Sequence, residues 1–372
     1  MVWAGSLIDQ RLGFVLLVGS GVSVAEACRR YGVSRPTGYK WLARFEVEGV
    51  EGLVDRSRRP VESPERTSLE VEDLVVTVRE RFPAWGGRKI RAFLIREGYQ
   101  PPAASTITRI LIRRGLITET VGEQRKFVSF EADTPNLMWQ IDFKGHIGLQ
   151  DGQRCHPLGI LDDHSRFNLN LTACVNEQTT TVKTQLTATF NHFGLPEVIL
   201  ADNGPPWGSS NPGFRWTPLA VWLADIGVRV VHSQPRHPQT LGKEERFHLT
   251  LIKELLTPNR VWANISQIQA AFDEWRTVYN HQRPHQSLNN QVPADRYQPS
   301  PRPFPTTITP PQYPDHWTIH KVDAAARITI NRNHYKIGKP FIGRTIAIDP
   351  QTNIAHYRTH PIRVINHVPE RP

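Results

Sequence analysis

Three acidic residues in the middle of the chain have types and spacing that could bind divalent metal ions. Asp142 lies on the polar face of residues 137–145, where apolar and polar residues alternate as in a half-buried strand. Asp202 ends a short apolar strand pattern, and Glu245 follows in a helical pattern. Mg²⁺ prefers carboxylate oxygens, and two such ions neutralise the attacking and leaving oxygens of phosphodiester transfer. These acids predict a two-metal site, with Mn²⁺ able to replace Mg²⁺, that cuts or joins DNA.

Each acid also has an ordinary structural explanation. Asp142 could be an exposed strand residue, Asp202 could belong to an Asp-Asn-Gly turn, and Glu245 could be a solvated helix residue. Clustered carboxylates would also repel one another unless metal ions were bound. From the pattern alone, both explanations stay open.

The helical acid could be either of two neighbours, Glu244 or Glu245. One continuous stripe at helical spacing contains Leu241, Glu245, His248, Ile252 and Leu255. Glu244 falls on the next row, with Phe247 and Leu251. The pattern favours Glu245, because its stripe points where the core residues of the helix point.

The segments around the acids predict a mixed α/β core of the ribonuclease H kind over residues 133–298. Three antiparallel strands come first, and helices then alternate with strands. In such a sheet the first and fourth strands are neighbours, so Asp142 and Asp202 can approach each other. The last predicted helix contains an apolar stripe of Ile265, Ile268, Phe272, Trp275 and Tyr279.

Residues 1–60 predict a helix-turn-helix domain that binds DNA, with an ordinary helical hairpin as the alternative. Ser23 and Ser34 are suited to cap two short helices, and Gly32 is suited to the left-handed position that closes the first. The second helix would enter the major groove. The predicted DNA-binding residues are Arg35, Thr37, Lys40 and Arg44 on that helix and Arg56, Arg58 and Arg59 in the linker after it.

The other regions outside the core are predicted with less detail. Residues 61–132 predict a second all-α, helix-turn-helix-like domain and a linker, with Ser105 or Thr106 capping its last helix. A packing role and a DNA-reading role both stay open there. Residues 299–316 predict a Pro-rich linker, and residues 317–372 a small SH3-like β-barrel whose basic residues favour contact with nucleic acid.

Charge is unevenly placed along the 372 residues, whose formal net charge is +10. Residues 1–132 have 21 Lys and Arg against 16 Asp and Glu, residues 133–298 have 14 against 15, and residues 299–372 have 10 against 4. Basic ends around a nearly neutral middle suit a polyanion that the ends hold and the centre works on.

The cysteines and the apolar runs indicate a cytoplasmic protein. The three cysteines have no paired spacing, which argues against a disulfide framework and against a cysteine-type zinc site. The apolar run at residues 12–18 is too short to cross a membrane. We therefore expect a reducing compartment and no membrane partner.

Motifs along nearly the whole chain resemble one known group of proteins. In the core these are Trp-Gln-Ile-Asp-Phe-Lys from residue 139, Asp-Asp-His-Ser-Arg from 162, Ala-Asp-Asn-Gly from 201, Gly-Lys-Glu-Glu-Arg-Phe-His from 242 and Tyr-Asn-His-Gln-Arg-Pro-His from 279. Before the core they are the segments 32–41, 53–60 and 85–90. All of them resemble the DDE insertion-sequence transposases of the retroviral-integrase superfamily, closest to insertion-sequence families 481 and 3.

This resemblance implies a transposase that binds the terminal inverted repeats of its element and performs strand cleavage and strand transfer into target DNA. It implies that Asp142, Asp202 and Glu245 are the catalytic and metal-binding residues, because the family's last acid directly precedes Arg-Phe-His. Further DNA contacts are expected at His237, Lys243 and Arg246, and a structural role in its loop stays open for His237. Pairing two element ends implies at least a dimer, and the expected place is the nucleoid in a bacterial cytoplasm.

Two features depart from the family pattern. Leu241 stands where the motif usually has Asn, and the 42 residues between Asp202 and Glu245 exceed the usual spacing. The alternatives are a catalytically inactive DNA-binding regulator derived from a transposase and a metal-dependent nuclease without joining activity. The Arg-Pro-His segment at 283–285 is expected to pack structurally rather than to bind metal.

Overall fold

The computed structural model divides the chain into two units, residues 1–66 and 67–372. The residues that it describes are 7–56, 67–118, 131–208, 216–232, 242–257 and 260–365. Within these ranges, no helix has the length and apolar character of a membrane span. Four residues singled out from the sequence lie outside the described residues: Arg58, Arg59, His237 and Leu241.

The described residues of the first unit, 7–56, form three helices and a short 3₁₀ turn. They are α1 (Leu7–Gly19), α2 (Val24–Tyr31), α3 (Arg35–Glu48) and the turn Gly49–Leu53. Both predicted caps are confirmed, because Ser23 Oγ accepts the N–H of Glu26 at 3.3 Å and Ser34 Oγ accepts the N–H of Thr37 at 3.4 Å. Gly32 closes α2 with a left-handed φ of 67°.

A close approach between α3 and the other two helices requires a glycine in α3. A Cβ atom on Gly38 would lie 2.7 Å from Phe14 Cζ and 2.8 Å from Cys28 Sγ, well inside van der Waals contact. Both of these neighbours are buried in the core of the unit. The packing of the predicted helix pair against α1, a helix not predicted from the sequence, therefore depends on this position.

In the second unit, the described residues 67–118 form three further helices. They are α4 (Leu69–Arg81), α5 (Gly87–Arg96) and α6 (Ala104–Arg113). Their core includes Trp85, whose ring stacks on Phe82 with the centroids 3.9 Å apart. The predicted cap at Ser105 or Thr106 is wrong, because α6 begins at Ala104 and both hydroxyl residues fall inside its first turn.

Side chains of α5 bind the α/β part of the same unit. Arg96 donates to the two carboxylate oxygens of Asp295 at 2.7 and 2.9 Å, and Lys89 Nζ lies 3.5 Å from Glu254 Oε1. Burial lowers the pKa of Lys89 to about 8. These contacts support the packing role that the sequence left open for residues 61–132.

One mixed sheet forms the centre of the second unit. Its strands are β1 (Met138–Phe143), β2 (Ile147–Gly148), β3 (Arg154–Asp162), β4 (Asn168–Cys174), β5 (Val198–Ala201) and β6 (Arg229–His232). Their order is β2-β3-β1-β5-β6, with β4 paired to β3. β1 is antiparallel to β3 and parallel to β5, so the strand that contains Asp142 and the strand that Asp202 follows are neighbours, as predicted.

Helices cover both faces of this sheet. They are α7 (Thr179–Phe193) and α8 (Pro218–Asp225) on one face and α9 (Gly242–Glu254) and α10 (Ile265–His281) on the other. Trp139 and Phe190 belong to the first apolar layer, and Phe247 and Phe272 belong to the second. The predicted mixed α/β core is thus confirmed. The apolar stripe of α10 is buried at Ile268, Phe272, Trp275 and Tyr279.

The carboxy-terminal strands form two small sheets around one core that includes Ile328, Phe341 and Ile346. The strands are β7 (Thr318–Lys321), β8 (Arg327–Ile330), β9 (Asn333–Lys336), β10 (Thr345–Asp349), β11 (Ile354–Tyr357) and β12 (His360–Val364). An antiparallel sheet has the order β12-β11-β10-β7, and β8 pairs with β9. Short 3₁₀ turns lie at Gln286–Leu288, Pro293–Asp295 and Lys339–Phe341. The predicted strands are confirmed, while their closure into an SH3-like barrel stays a prediction.

The Pro-rich segment 299–316 has no helix or strand, as predicted, but it is not a free linker. The ring of Phe304 stacks on Phe190 of α7, with the centroids 5.9 Å apart. Arg302 donates to the carbonyl of Pro196 at 2.8 Å, beside β5. Apolar and hydrogen-bonding contacts therefore hold this segment against the α/β core.

Candidate active site

Asp142 lies near the end of β1, and Asp202 directly follows β5, the parallel neighbour of β1. β1 and β5 pair with Gln140 opposite Leu200, and continuing that register by two residues brings Asp142 level with Asp202. The turn after β5 orients the second acid, because Asp202 Oδ1 accepts the N–H of Gly204 at 3.0 Å. Strand pairing alone thus brings two of the three predicted acids together.

Burial and neighbouring negative charge raise the pKa of Asp142 to about 7. Burial is the largest cause, and the charge of Asp202 comes next. The N–H of Phe143 acts in the opposite direction by donating to Asp142 Oδ1 at 2.9 Å. Smaller increases come from Glu177 and Glu245. The three predicted acids therefore share one electrostatic environment, to which Glu177 adds a charge that was not predicted.

The two acids at the start of α9 do not point as predicted. Glu244 is fully buried in a row with Phe247 and Leu251, and a Cβ atom on Gly159 of β3 would lie 3.5 Å from its Oε2. Glu245 is exposed. The prediction that the stripe of Glu245 faces the sheet is wrong, because the bulky Phe247 and Leu251 decide which side of α9 packs and carry Glu244 inward.

Burial changes the chemistry of Glu244. It raises the pKa of Glu244 well above its ordinary value, with a further increase from the charge of Asp142, and so favours the neutral acid. A protonated carboxyl is a poor ligand, because metal binding requires the ionised form. Glu245 is accessible and its charge acts on Asp142, so it stays the predicted third acid on grounds other than the stripe.

His248 lies between two of these acids and was not predicted as a site residue. Its Nδ1 is 3.8 Å from Asp142 Oδ2, and its Nε2 is 3.8 Å from Glu244 Oε2. Burial lowers the pKa of His248 to about 4, so the imidazole is neutral at neutral pH. Its spacing of four residues from Glu244 along one helix was the signal that could have identified it.

Lys243, predicted to contact DNA, is bound within the protein instead. Its Nζ lies 2.5 Å from Asp163 Oδ2 and donates to the Asp163 carbonyl at 3.2 Å. The exposed fraction is 14% for the Lys243 side chain and 0% for that of Asp163. A phosphate contact would require this buried ion pair to break, so we assign Lys243 a structural role. Arg246 is exposed on α9, and its contact with DNA stays a prediction.

The residues predicted to face DNA in the first unit differ in exposure. Arg35 and Lys40 are exposed on α3. Thr37 and Arg44 are half-buried, and the Thr37 hydroxyl takes part in the cap of α3. Arg56 pairs with a glutamate at the end of α3. Arg35 and Lys40 are therefore the side chains best placed to reach base edges or phosphates.

The basic segment at 283–285 packs structurally, as predicted. Arg283 Nε lies 2.9 Å from Glu254 Oε1, and both side chains are 9% exposed. Burial lowers the pKa of His285 well below its ordinary value. These residues attach the end of α9 to the chain that follows α10.

The acids fit a divalent cation in their chemistry but are not gathered around one point. Among the described residues, no three His, Cys, Asp or Glu side chains are arranged to hold a metal ion. Their oxygens are nevertheless the donors that Mg²⁺ prefers. The raised pKa of Asp142 reflects burial first and then repulsion by neighbouring acids, and a bound cation would offset that repulsion. Asp142, Asp202 and Glu245 would hold such an ion once the exposed Glu245 side chain turns toward Asp142.

Four models of protein families match segments of the chain. Two of them describe an integrase core domain, at residues 132–238 and 226–293. The others describe a helix-turn-helix domain at residues 10–60 and a homeodomain-like domain at residues 37–111. The matches cover the helical modules and the sheet with its acids.

Curated relatives include bacterial insertion-element proteins. A 31.7 kDa protein of insertion element IS407 from Burkholderia multivorans is 27% identical over 224 residues, which are 58% of this chain and 76% of that protein. A 39.2 kDa protein of insertion element IS476 from Xanthomonas euvesicatoria is 26% identical over 175 residues, 47% of each chain. Protein YlbG of Escherichia coli K12 is 30% identical over 95 residues, 26% of this chain and 77% of YlbG.

Two solved integrase structures resemble the chain weakly. The simian T-cell lymphotropic virus intasome in complex with PP2A regulatory subunit B56 gamma matches with 16% identity and a TM-score of 0.38, over 78% of this chain and 99% of that one. The HTLV-2 integrase catalytic core domain in complex with magnesium matches with 15% identity and a TM-score of 0.34, over 45% of this chain and 100% of that one. Because both TM-scores are low, the family relationship rests on the family models and the sequence relatives.

Proposed function

Since the chain belongs to the insertion-sequence transposases of the retroviral-integrase superfamily, we propose that it is an active DDE transposase. It binds the terminal inverted repeats of its element and joins them to target DNA in a site formed by Asp142, Asp202 and Glu245. One observation carries this proposal: β1, which contains Asp142, pairs in parallel with β5, which Asp202 directly follows, and burial and the charge of Asp202 raise the pKa of Asp142 to about 7.

The proposed reaction consists of two displacements at phosphorus. In strand cleavage a water oxygen bonds to the phosphorus at the element end, and the 3′-oxygen of that end leaves as a hydroxyl. In strand transfer this hydroxyl loses its proton and its oxygen bonds to a target phosphorus, while the target 3′-oxygen leaves and takes up a proton. When bound, two Mg²⁺ ions supply charge neutralisation at the attacking and leaving oxygens, and Mn²⁺ replaces them. No covalent bond to the protein forms.

The protein's own groups prepare this site. The N–H of Gly204 holds one oxygen of Asp202 and leaves lone pairs free for a cation. Burial of Asp142 keeps water from part of its carboxylate and strengthens its attraction to positive charge. Neutral His248 lies beside Asp142 without adding a positive charge that would repel a metal ion.

DNA is held by basic residues at several places along the chain. Arg35 and Lys40 face the major groove, and Arg56 and Arg246 bind phosphates. Outside the described residues, Arg58, Arg59 and His237 contribute to the same binding. Residues 299–372, with 10 Lys and Arg against 4 Asp and Glu, also contact nucleic acid. Two element ends are paired by at least two protomers, at the nucleoid in the bacterial cytoplasm.

Substituting one acid tests this proposal. With labelled element-end DNA and Mg²⁺, Asp142→Asn should abolish cleavage and strand transfer while DNA affinity stays within about twofold, because phosphate and base contacts supply binding. Asp151→Asn changes an exposed acid in the turn before β3 and is the matched control, with activity expected at the wild-type level. Undiminished strand transfer by Asp142→Asn would contradict the proposal.

The same assay separates the alternative functions. Departure from the family motif at Leu241 and the exposed Glu245 are the features that an inactive regulator would show. Wild-type protein that binds end DNA but never cleaves it with Mg²⁺ or Mn²⁺ would be such a regulator. Cleavage whose labelled 3′ ends never become joined to target DNA would identify a nuclease.

A further inference from the structure

The buried carboxylate of Asp163 contacts both β1, which contains Asp142, and α9, which contains Glu245. Gln140 of β1 donates from Nε2 to Asp163 Oδ1 at 2.6 Å. Lys243 of α9 places its Nζ 2.5 Å from Asp163 Oδ2, and the N–H of Ala132 donates to the same oxygen at 2.7 Å. In this buried position, Oδ1 of Asp163 therefore accepts from an amide, and Oδ2 contacts an ammonium group and a backbone N–H.

The two side chains that contact the Asp163 carboxylate, Gln140 and Lys243, each stand two residues before a proposed metal ligand. Gln140 precedes Asp142 on the same face of β1, because side chains alternate along a strand. Lys243 precedes Glu245 in the first turn of α9. The backbone adds to this connection, since the Asp163 N–H donates to the carbonyl of Met138 in β1 at 2.9 Å. Asp163 thus joins the strand of Asp142 to the start of the helix of Glu245.

We propose that Asp163 is a positioning residue that fixes the start of α9 against β1 and so sets the separation of the Asp142 and Glu245 carboxylates for metal binding. The inference rests on the proposed two-metal function. It follows from geometry: the apolar contacts of Phe247 and Leu251 hold the middle of α9, whereas the Asp163–Lys243 pair holds its first turn.

An ion pair suits this task better than an apolar contact does. Burying two charges costs desolvation free energy, and apolar residues of similar volume often stabilise a protein as well or better. Apolar contacts are however tolerant of small shifts, whereas a carboxylate shared by an ammonium, an amide and a backbone N–H accepts one arrangement. The pair therefore serves geometry more than stability.

Metal binding by the full-length protein tests the role without DNA. Free Mn²⁺ measured by electron paramagnetic resonance gives the affinity of each variant. Asp163→Asn should weaken Mn²⁺ binding by about tenfold or more, as is usual when a residue that orients metal ligands is removed. Gln140→Met removes the β1 contact with little change of volume and should weaken binding in the same direction, by a smaller factor.

Glu254→Gln is the matched control for a merely structural effect. Glu254 is the last residue of α9, and its side chain, which is 9% exposed, pairs with Arg283, so the variant also removes a largely buried ion pair from the same helix. It lies nine residues from Glu245, about 13 Å along a helix. We expect Glu254→Gln to lower the thermal unfolding midpoint at least as much as Gln140→Met while it leaves Mn²⁺ affinity unchanged.

The outcomes separate this inference from the proposed function. If Asp142→Asn loses Mn²⁺ binding but Asp163→Asn and Gln140→Met bind as the wild type does, the positioning role is wrong and the two-metal function stands. If the wild type itself binds no Mn²⁺, or Asp142→Asn binds it normally, the proposed function fails. If Asp163→Asn does not fold, unchanged Mn²⁺ affinity in Gln140→Met still overturns the inference.

Discussion

Asp142 loses its proton only near neutral pH, whereas an aspartate in water loses it at much lower pH. Burial disfavours the charged carboxylate, and the charge of Asp202 beside it adds to the effect, so that the pKa of Asp142 reaches about 7. The single N–H of Phe143 that donates to it offsets only part of this rise. A proton and a divalent cation therefore compete for the same oxygen atoms.

This competition predicts the pH dependence of metal binding. The ionised form of Asp142 becomes dominant as pH rises through about 7, so Mg²⁺ affinity should increase over that range and level off above it. Titration calorimetry in buffers of different ionisation enthalpy should detect proton release on binding at neutral pH. In Asp142→Asn the proton release should disappear. An affinity that is independent of pH between about 6 and 8 would contradict this account of Asp142.

The two neighbouring glutamates of α9 should respond differently to the same substitution. Glu245→Gln should abolish strand transfer, because it removes a ligand that only the ionised acid supplies. Glu244→Gln should retain strand transfer within about threefold, because the amide matches the neutral acid in shape and does not carry a charge either. Single-turnover assays on end DNA measure both, and the reverse outcome would make Glu244 the catalytic acid.

Unfolding free energies provide a second test of the protonation state of Glu244. The pKa of Glu244 is raised in the folded state. The stability that the neutral acid contributes to the wild type is therefore fully present when the pH is below 4.5, the ordinary pKa, and it is lost as the pH rises toward the folded-state pKa. Asp142 and His248 face this group from β1 and from α9. Glu244→Gln should thus match the wild type at low pH and exceed it at neutral pH, by about 1.4 kcal/mol for each unit of pKa difference. Equal stability at all pH values would show that Glu244 is not perturbed.

At the scale of elements, strand patterns predicted the site better than helix patterns did. The alternation around Asp142 and the apolar run before Asp202 sufficed to predict neighbouring strands. In a strand, side chains alternate with a period of two, so the pattern allows only one choice of which residues face the core. Along α9 two rows of residues each contain apolar side chains at helical spacing. Which row packs depends on what faces it, and the rings of Trp275 and Tyr279, which pack edge-on against Phe247, come from a distant part of the chain.

Interactions between distant residues also explain what the sequence did not predict. The basic character of Lys243 suggested a contact with DNA. Only the tertiary structure brings this side chain to Asp163, which lies 80 residues earlier in the sequence. His248 was visible as a member of a stripe, but its position between two carboxyls depends on the packing of α9 on β1. Local signals such as the Ser23 and Ser34 caps were predicted correctly because their partners are three residues away.

The exposed face of α3 makes a prediction about DNA binding. Replacing both Arg35 and Lys40 by Ala should weaken binding to element-end DNA by at least tenfold. It should also reduce the slope of log affinity against log salt by about 1 for each phosphate that is no longer neutralised. The control is Arg30→Ala on α2, which removes an exposed basic side chain that pairs with Glu26. Fluorescence anisotropy at several salt concentrations measures the slope. An unchanged slope in the double variant would exclude α3 from DNA contact.

At the scale of the whole molecule, the carboxy-terminal sheets are attached to the core within the second unit. The buried carboxylate of Asp225 at the end of α8 accepts a hydrogen bond from the Tyr357 hydroxyl and lies 2.8 Å from Arg344 Nη1. Val221 of α8 belongs to the same apolar core as the small sheets. Together with the packed segment 299–316, these contacts hold the basic carboxy-terminal residues at a defined place relative to the acids.

The distribution of charge matches this arrangement. The acidic site lies in a part of the sequence with little net charge, and the residues after it carry 10 Lys and Arg against 4 Asp and Glu. A DNA backbone attracted by the basic residues would reach carboxylates that repel it until cations are bound. Metal binding and DNA binding at the site should therefore support each other.

The most direct test of the central claim places sulfur at the leaving position of the scissile phosphodiester. In element-end DNA with a 3′-bridging sulfur, the leaving atom is soft and binds Mg²⁺ poorly but Mn²⁺ well. If metal ions held by Asp142, Asp202 and Glu245 contact that atom, cleavage should fall strongly with Mg²⁺ and recover with Mn²⁺, while the all-oxygen DNA is cleaved with either ion. Cleavage of the sulfur DNA that is equally fast, or equally slow, with both ions would contradict the account.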